Sequence, residues 1–442
     1  MRPTKEKRAV VPFENQCKKF VTSTRVFDLQ YFAFYNARFK KMYESLKEAA
    51  LQKWGKDIKL IRLNQLMDHP DQEVCVIGVL LKVMKQQKSV LREVSEDLEL
   101  IPEAEKDKYI DDTDYLSLQD DTEACALQGG PDVSTHVTGV MVAVLGREHD
   151  NGNRFIVSDY CYSSLAPQVS PTYPGEDRLV MLVSDLGFSL NTDGKITSAR
   201  EALLDFLTGF LDETLAKRAR SVVRVIIAGN SLAPDSRKQE QDLEALDCAG
   251  DDEWNRKERA YTIEAVRSLD KFLHEIAKVI PVDLMPGEND AATHMMPQQP
   301  IHPKILPKSS SLKGLFRVTN PYSSSIGGLT FTGTSGRVIK SIQEVSSLDE
   351  PVEILESTLK WTHLIPTAPD TVWTCPFKED DPFVIDSHPH VYFAGSQKSF
   401  NTKVASIIGR RTRIIAVPSF RTTQTAVMVN LRNLSCEVVA FN

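Results

Sequence analysis

The chain has 442 residues, 41% hydrophobic and 26% charged, which are the proportions of a soluble globular protein with room for two or three domains. A net charge of −7 and a sequence pI near 5.8 exclude a protein that grips phosphate backbones over its whole surface, while leaving a local basic groove open. No apolar run approaches the roughly 20 residues that span a bilayer, and the N-terminus, Met1-Arg-Pro-Thr-Lys-Glu-Lys-Arg8, lacks the apolar stretch of a secretory signal. The seven cysteines are dispersed with no Cys-x-x-Cys pair, so they read as reduced thiols of the cytosol or nucleus, not as a disulfide framework or zinc ribbon.

Residues 1–25 are basic and polar with little periodicity and read as a flexible N-terminal arm; Lys5–Arg8 is a solvated terminus or a nuclear address. Residues 26–55 read as an amphipathic helix packed on its own domain. Phe32, Tyr35, Phe39, Met42, Leu46 and Ala49 recur at steps of three and four, and Gly55 suits the C-cap. Over 56–166 the pattern turns to strands, Val74–Met84, Val137–Gly146 and Arg154–Tyr162. Asp150-Asn151-Gly152-Asn153 reads as a hairpin turn, because Asn-Gly accepts the positive φ of a type I′ turn. Glu93–Asp114 is acidic, carries Pro102 and reads as an exposed insertion. Short strands joined by hairpins suggest a small β-barrel, with an OB-like barrel as one candidate.

Ala166–Pro174 holds three prolines and reads as an interdomain connection. Over 167–442 strands and helices alternate. Leu179–Val183 ends at Ser184-Asp185, and Ser198-Ala-Arg-Glu201 has capping-box spacing ahead of Leu203, Phe206, Leu207 and Phe210. Val222–Ala228 reads as a strand, apolar but for Arg224, ending in Gly229-Asn230 and followed by a polar loop through Asp235–Glu253. A helix carrying Ile263, Val266, Leu269, Phe272, Leu273 and Ile276 comes next, then a strand Pro281–Met285. Val391–Ala394, Arg413–Val417 and Ala426–Leu431 are further strands. Polar residues at strand ends imply an α/β domain whose sites lie in its loops.

Four strand-end motifs, Ser184-Asp-Leu-Gly187, Gly229-Asn-Ser231, Gly287-Glu-Asn-Asp290 and Phe393-Ala-Gly-Ser-Gln-Lys398, resemble in order and spacing the calcineurin-like metallophosphoesterases. Those enzymes end the corresponding strands in Asp-x-His, Gly-Asp, Gly-Asn-His-Asp and Gly-His-x-His, because two metals about 4 Å apart must clamp a phosphoryl oxygen and activate water. Here Gly187 stands in place of a His and Asn230 in place of the bridging Asp. Glu288 and Asn289 stand where that family has Asn and His, and Ser396 and Lys398 stand for two His. Asp185 and Asp290 survive. A lysine among would-be ligands repels a dication. Gly229, Gly287 and Gly395 also serve any tight turn after a strand, and Asn230, Asn289 and Asp290 commonly tie such turns.

Further motifs carry a more specific likeness. They are Met285–Asp290, Pro297–Pro303, Val318–Tyr322, Phe331–Gly336, His363–Asp370, Asp381–Phe383 and Pro389–Gly395, with Ser95-Glu96, Asp159-Tyr-Cys161 and Leu165–Gln168 in the barrel region. Together, over roughly 45–442, they closely resemble the B-subunit family, in particular the small (second) subunits of eukaryotic DNA polymerase delta. The resemblance implies a multi-domain α+β chain, an OB-fold domain at 56–166 followed by an inactivated phosphoesterase-like α/β sandwich at 167–442. It also implies a non-catalytic accessory subunit of the nucleus, active in replication and repair, with no catalytic, cofactor-binding or metal-binding residue of its own. The partners it implies are the metal-binding C-terminal domain of the catalytic subunit and a third, extended subunit. Contact with the sliding clamp and DNA would be indirect, and a membrane is not involved.

Two rival readings stay open. One is a metal-dependent phosphoesterase with atypical ligands drawn from Asp185, Asp290, His294 and His363. The other is single-strand binding by the barrel, where Trp54, Tyr109, Tyr115, Phe155, Tyr160 and Tyr162 would be stacking platforms, against the opposition of the Asp111–Asp114 cluster. Pro297–Pro303 reads as a rigid loop or a polyproline ligand, with His302 in the loop packed or hydrogen-bonded. Arg410-Arg-Thr-Arg413 is the densest basic cluster. It reads as a solvated turn or as a contact for an acidic partner or passing DNA.

Overall fold

A computed structural model describes residues 8–22, 30–86, 106–149, 154–164, 167–189, 193–209, 213–234 and 252–441, for 214 and 252–262 the backbone alone. In chain order the first elements are β1 (Phe13–Asn15), α1 (Phe32–Trp54), β2 (Leu60–Ile61), β3 (Val74–Val83), β4 (Tyr115–Gln119), β5 (Ala124–Gln128), β6 (Met141–His149) and β7 (Arg154–Cys161). Then come β8 (Leu179–Val183), α2 (Gly194–Thr208), α3 (Glu213–Ser221), β9 (Val222–Ala228), α4 (Asp252–Ala277), β10 (Val282–Met285), β11 (Leu315–Arg317), β12 (Tyr322–Ile326) and β13 (Leu329–Thr334). The chain ends with α5 (Arg337–Val345), α6 (Pro351–Lys360), β14 (Val391–Gln397), β15 (Asn401–Ile407), β16 (Arg410–Pro418), α7 (Phe420–Thr423), β17 (Thr425–Asn430) and β18 (Cys436–Ala440).

These elements gather into two compact units, and the chain passes between them four times: Met1–Thr24, Gln168–Arg337 and Ser387–Asn442 make one, Arg25–Pro167 and Val338–Asp386 the other. The second unit is built on a closed barrel. β3 pairs antiparallel with both β4 and β6, β5 runs parallel to β7, and β7 pairs with β6, so five strands close in the order β3-β4-β5-β7-β6. That closure leaves no edge along these strands and is the topology of an OB-fold. Val74, Cys75, Val76 and Ile77 and Met141–Val144 are buried, which is why both runs read as continuously apolar. The expected turn Asp150–Asn153, Glu93–Glu105 with Pro102, Leu165-Ala166, Asp235–Asp251 and Lys5–Lys7 lie outside the described residues, as does the Ser95-Glu96 motif. The last part of the acidic insertion folds back: Tyr109 N–H donates to Glu344 O at 2.8 Å and Lys108 Nζ to Ser346 O at 3.2 Å.

Three expectations need correction here. The arm 1–25 is not featureless where it is described. β1 pairs antiparallel with β12, Phe20 is fully buried, and the Arg8 guanidinium donates to Leu207 O and Ala219 O at the carboxyl ends of α2 and α3 and to Val222 O at the start of β9. Helix C-termini leave carbonyls unpaired, and a cation satisfies them. The buried stripe of α1 is also rotated from the one expected. Phe34, Ala37, Arg38, Met42, Leu46 and Ala50 are buried while Phe32 is 62% exposed. The face is set by Arg38, whose charge is met inside the unit: Nε pairs with Asp381 Oδ2 at 2.8 Å, and its other nitrogens donate to Gly139 O, Pro366 O and Ala368 O. Gly55 does cap this helix, at φ +96 with its N–H on Leu51 O. Lastly, α2 starts before Ser198. Asp193 is its N-cap, accepting from Lys195 N, and Gly209 at φ +83 its C-cap.

Compactness also places boundaries differently from 26–55, 56–166 and 167–442. Val338–Asp386, inside the expected second domain, belongs with the barrel, because it brings Asp381 and His363 to Arg38. The α/β unit has two six-stranded sheets, β1-β12-β13-β14-β16-β15 and β11-β10-β9-β8-β17-β18. Parallel runs β13-β14-β16 and β8-β9-β10-β11 make up the larger part of them. The sheets meet through β12 and β10, where Tyr322 Oη donates to Asp283 Oδ2 at 2.6 Å, and helices α2 and α4 cover β8–β10 with Leu203, Phe206, Leu269, Phe272 and Leu273. Pro297–Pro303 is a packed loop of this unit, held by Gln298, which bridges to Asn320 and donates to Gly287 O and Thr293 O. Among the described residues no helix is long and apolar enough to cross a membrane.

Candidate functional site

The four motifs come together in the α/β unit, at the ends of β8, β9, β10 and β14. Asp185, Asn230 and Ser396 each hold positive φ, at 54, 55 and 56°. Non-glycine residues rarely adopt that conformation, so three occurrences at neighbouring strand ends mark backbone held in place by its surroundings. The holding contacts are local. Ser184 Oγ donates to Ala228 O and accepts from Ser396 N, both at 2.8 Å. Asn230 Nδ2 donates to Ser396 Oγ at 2.9 Å, and Asn230 Oδ1 accepts from Asn289 N at 3.1 Å. One amide therefore ties three strand ends where a bridging carboxylate would otherwise face two metals.

The two surviving carboxylates are also engaged. Asp290 Oδ1 accepts from Leu232 N at 3.0 Å and Oδ2 from Gly287 N at 2.8 Å. Burial pushes its carboxyl above the usual range, opposed by these backbone N–H groups. Asp185 Oδ2 accepts from Ser419 Oγ at 2.7 Å and lies 3.5 Å from Arg421 Nε. Arg421 also fills the space beside Gly187, where φ is +64 and an added Cβ would sit 2.5 Å from Arg421 Cδ. The position at which the phosphoesterases carry a His is thus closed to any larger side chain unless Arg421 moves.

The rival ligand set is not brought together. His363 lies in the barrel unit, buried, with Nε2 2.9 Å from Asp381 Oδ2 and Nδ1 accepting from Ile365 N at 3.2 Å. Burial first, and then the Arg38 charge, lower its pKa to about 4, so the ring is neutral and donates from Nε2. Burial pushes Asp381 the other way, yet His363 and Arg38 overrule it and hold that carboxyl far below its ordinary range. His294 O accepts from Arg337, and His302 Nδ1 from Lys304 N. Among the described residues no group of three or more His, Cys, Asp and Glu side chains is placed to hold a metal ion.

The barrel aromatics do not line up as a stacking platform. Phe155 is fully buried, Trp54 Nε1 donates to Asp159 Oδ2 at 2.8 Å, and Tyr160 and Tyr162 gather round the buried His136 with Trp361. The positive-φ residues Asp185 and Ser396 and the ion pair between Asp381 and Arg38 are functional or structural centres that sequence reasoning missed. Of the three positive-φ residues, only Asn230 and Asp185 are types that tolerate such backbone and so carried a signal.

Comparison with known proteins agrees with this geometry. Residues 180–402 match the family model described as the DNA polymerase alpha/epsilon B subunit, and residues 30–160 the DNA polymerase delta subunit OB-fold domain. The chain is 34% identical over 436 residues to DNA polymerase delta subunit 2 of Drosophila melanogaster, covering 98% of each. It is 34% identical over 418 residues to the DNA polymerase delta small subunit of Arabidopsis thaliana, covering 93% of this chain and 91% of that one. With the small subunit of Saccharomyces cerevisiae the figures are 30% over 473 residues, 97% and 91%. With an OB barrel in one unit, matches to both polymerase-subunit family models and these relatives along nearly its whole length, the chain belongs to the DNA polymerase delta small-subunit family.

Proposed function

We propose that this chain is a non-catalytic accessory subunit of a nuclear DNA polymerase delta complex and that its work is assembly. The observation that carries the reading is the hydrogen-bonded closure of the strand ends by Ser184, Asn230, Asn289 and Ser396, which spends on internal contacts the positions an enzyme would aim at metal. Strand ends tied to one another and not aimed at a ligand support the reading of a scaffold. The subunit would hold the metal-binding C-terminal domain of the catalytic subunit and a third, extended subunit, reaching the sliding clamp and DNA only through them.

Co-expression of the full chain with that C-terminal domain tests this directly. A one-to-one complex that co-elutes at moderate salt is the expected result. Two folded proteins that elute apart would remove the assembly role. Manganese-dependent phosphodiester hydrolysis lost in Asp290→Ala would replace it by the enzyme reading.

A further inference from the structure

β15 and β16 form a hairpin at the end of a sheet, with β15 as the last strand in the order. Ile407 pairs with Arg410, so Ile408 and Gly409 are the two turn residues, at φ +47 and +74. Two central residues at positive φ are the signature of the type I′ turn, for which Asn-Gly is the favoured pair. Here the first position holds Ile, a β-branched residue for which such backbone is an outlier, and it is 77% exposed. The free chain therefore carries two unfavourable features in one side chain, strain and bare apolar surface. Neither is offset by burial of that side chain.

Charge adds a second, independent observation. From Ser387 to Asn442 there are seven Lys and Arg and a single acid, Glu437, in a chain whose net charge is −7. Lys403 and Arg411 on the hairpin are exposed, and Val404 beside them is 39% exposed. An exposed apolar tip on a hairpin whose charged residues, Lys403, Arg410, Arg411 and Arg413, are all cations is the make-up of a protein-binding contact, apolar at the centre and polar at the rim.

We propose that the β15–β16 hairpin is a docking prong whose tip, Ile408, enters an apolar pocket bordered by carboxylates on a protein partner. The inference rests on the reading of the chain as an assembly subunit. A polypeptide fits better than nucleic acid because phosphates would use the cations but give nothing to Ile408 and Val404. The strained turn is held ready, so binding spends little on ordering the loop.

The test uses the full chain and the remaining subunits of a matched DNA polymerase delta, with affinity measured by titration and the free chain's Tm measured alongside. Ile408→Asn supplies the favoured turn pair, so Tm should hold or rise while affinity for the partner subunits falls about tenfold or more. Arg411→Glu should weaken association and change its salt dependence without lowering Tm. That opposite movement of stability and affinity is what a merely structural Ile408 would not give. Wild-type assembly with both variants binding equally well would overturn the prong and leave the assembly role standing. Failure of the wild-type chain to assemble would remove both. If Arg411→Glu instead abolishes binding of the chain to a labelled DNA duplex or single strand and leaves its affinity for the other subunits unchanged, the hairpin is a nucleic-acid contact and the proposal is wrong.

Discussion

The strand ends of the α/β unit and the Arg38 centre of the barrel unit both keep polar groups out of water, by opposite means. At the strand ends, positions that carry metal ligands in the phosphoesterases hold Asn230, Asn289 and Ser396, and neutral hydrogen bonds join neighbouring loops. In the barrel unit a full ion pair is buried, with Arg38 and Asp381 both at 0% exposure. The first arrangement keeps a local geometry after its chemistry is gone. The second joins segments 343 residues apart in the chain, and so supports the joining of Val338–Asp386 to the barrel. Neutral networks can lose a member at modest cost, whereas a buried pair cannot lose half of itself.

The largest effect should come from splitting that pair. Asp381→Ala leaves the Arg38 guanidinium buried with carbonyl partners only, a change that costs about 3–5 kcal/mol in comparable buried pairs. Equilibrium denaturation should show it as a large drop in Tm. Replacing both, with Arg38→Met and Asp381→Leu, should recover most of the loss, because apolar packing then takes the place of an unmatched charge. A double variant no more stable than Asp381→Ala would show that the carbonyl contacts of Arg38, not the ion pair, hold the segment.

Acid should separate the two units next, through the sign of its effect. His363 has its pKa lowered from 6.5 to about 4, so between those values the unfolded chain takes up a proton that the folded one refuses. Its contribution to stability is present above pH 6.5 and is lost as pH falls toward 4. Asp283, between the sheets of the α/β unit, is raised by burial from 3.8 to about 6 against the pull of Arg224 and Tyr322. There the folded state takes the proton first, so this group adds stability as pH falls from 6 to 3.8. Each slope is at most about 1.4 kcal/mol per pH unit. Stability measured from pH 7 to 4 should lose its acid-side fall in His363→Asn and steepen that fall in Asp283→Asn. Changes of the same sign in both would break the contrast.

How much of this could be read from residues alone follows from distance along the chain. The barrel strands were legible because Val74–Val83 and Met141–His149 are dense in β-branched and apolar residues, and the motif spacing carried the strand ends. Arg38 was not, since arginine in a helix reads as exposed and its partner lies far away in sequence. β1 is three residues long, too short for any period to show. Ser396 gives no sign of positive φ and Asp185 only that of a tolerant residue type, and their neighbours impose it after the sheets form. The face of α1 departs from its apolar pattern for the same reason, because a buried cation, not an apolar stripe, fixes its rotation.

A smaller effect should follow at Gly187. Alanine there meets the left-handed penalty of about 1–2 kcal/mol and crowds Arg421, which has a flexible side chain and can give way. Gly187→His should cost more and displace Arg421 from Asp185. Neither variant should bind manganese in calorimetry, because Asn230 and Asn289 still stand at ligand positions. Measurable metal binding by Gly187→His would mean that the strand ends are one residue from an enzyme site.

The mildest change, Asn230→Asp, restores the carboxylate that the phosphoesterase pattern calls for. Asp tolerates positive φ nearly as well as Asn, and its oxygen can still accept from Asn289 N–H. What it cannot do is donate to Ser396 Oγ, but that hydroxyl can turn and donate to the new carboxylate. Stability near pH 7 should therefore change by no more than about 1 kcal/mol, the size of one neutral hydrogen bond. Asn230→Gly keeps the backbone angle and loses both side-chain bonds, so it should be the more costly of the two despite making the turn easier. If Asp proves far worse than Gly, a buried charge at this point is what the fold cannot accept, and the neutral network is then a condition of stability and not only a remainder of lost chemistry.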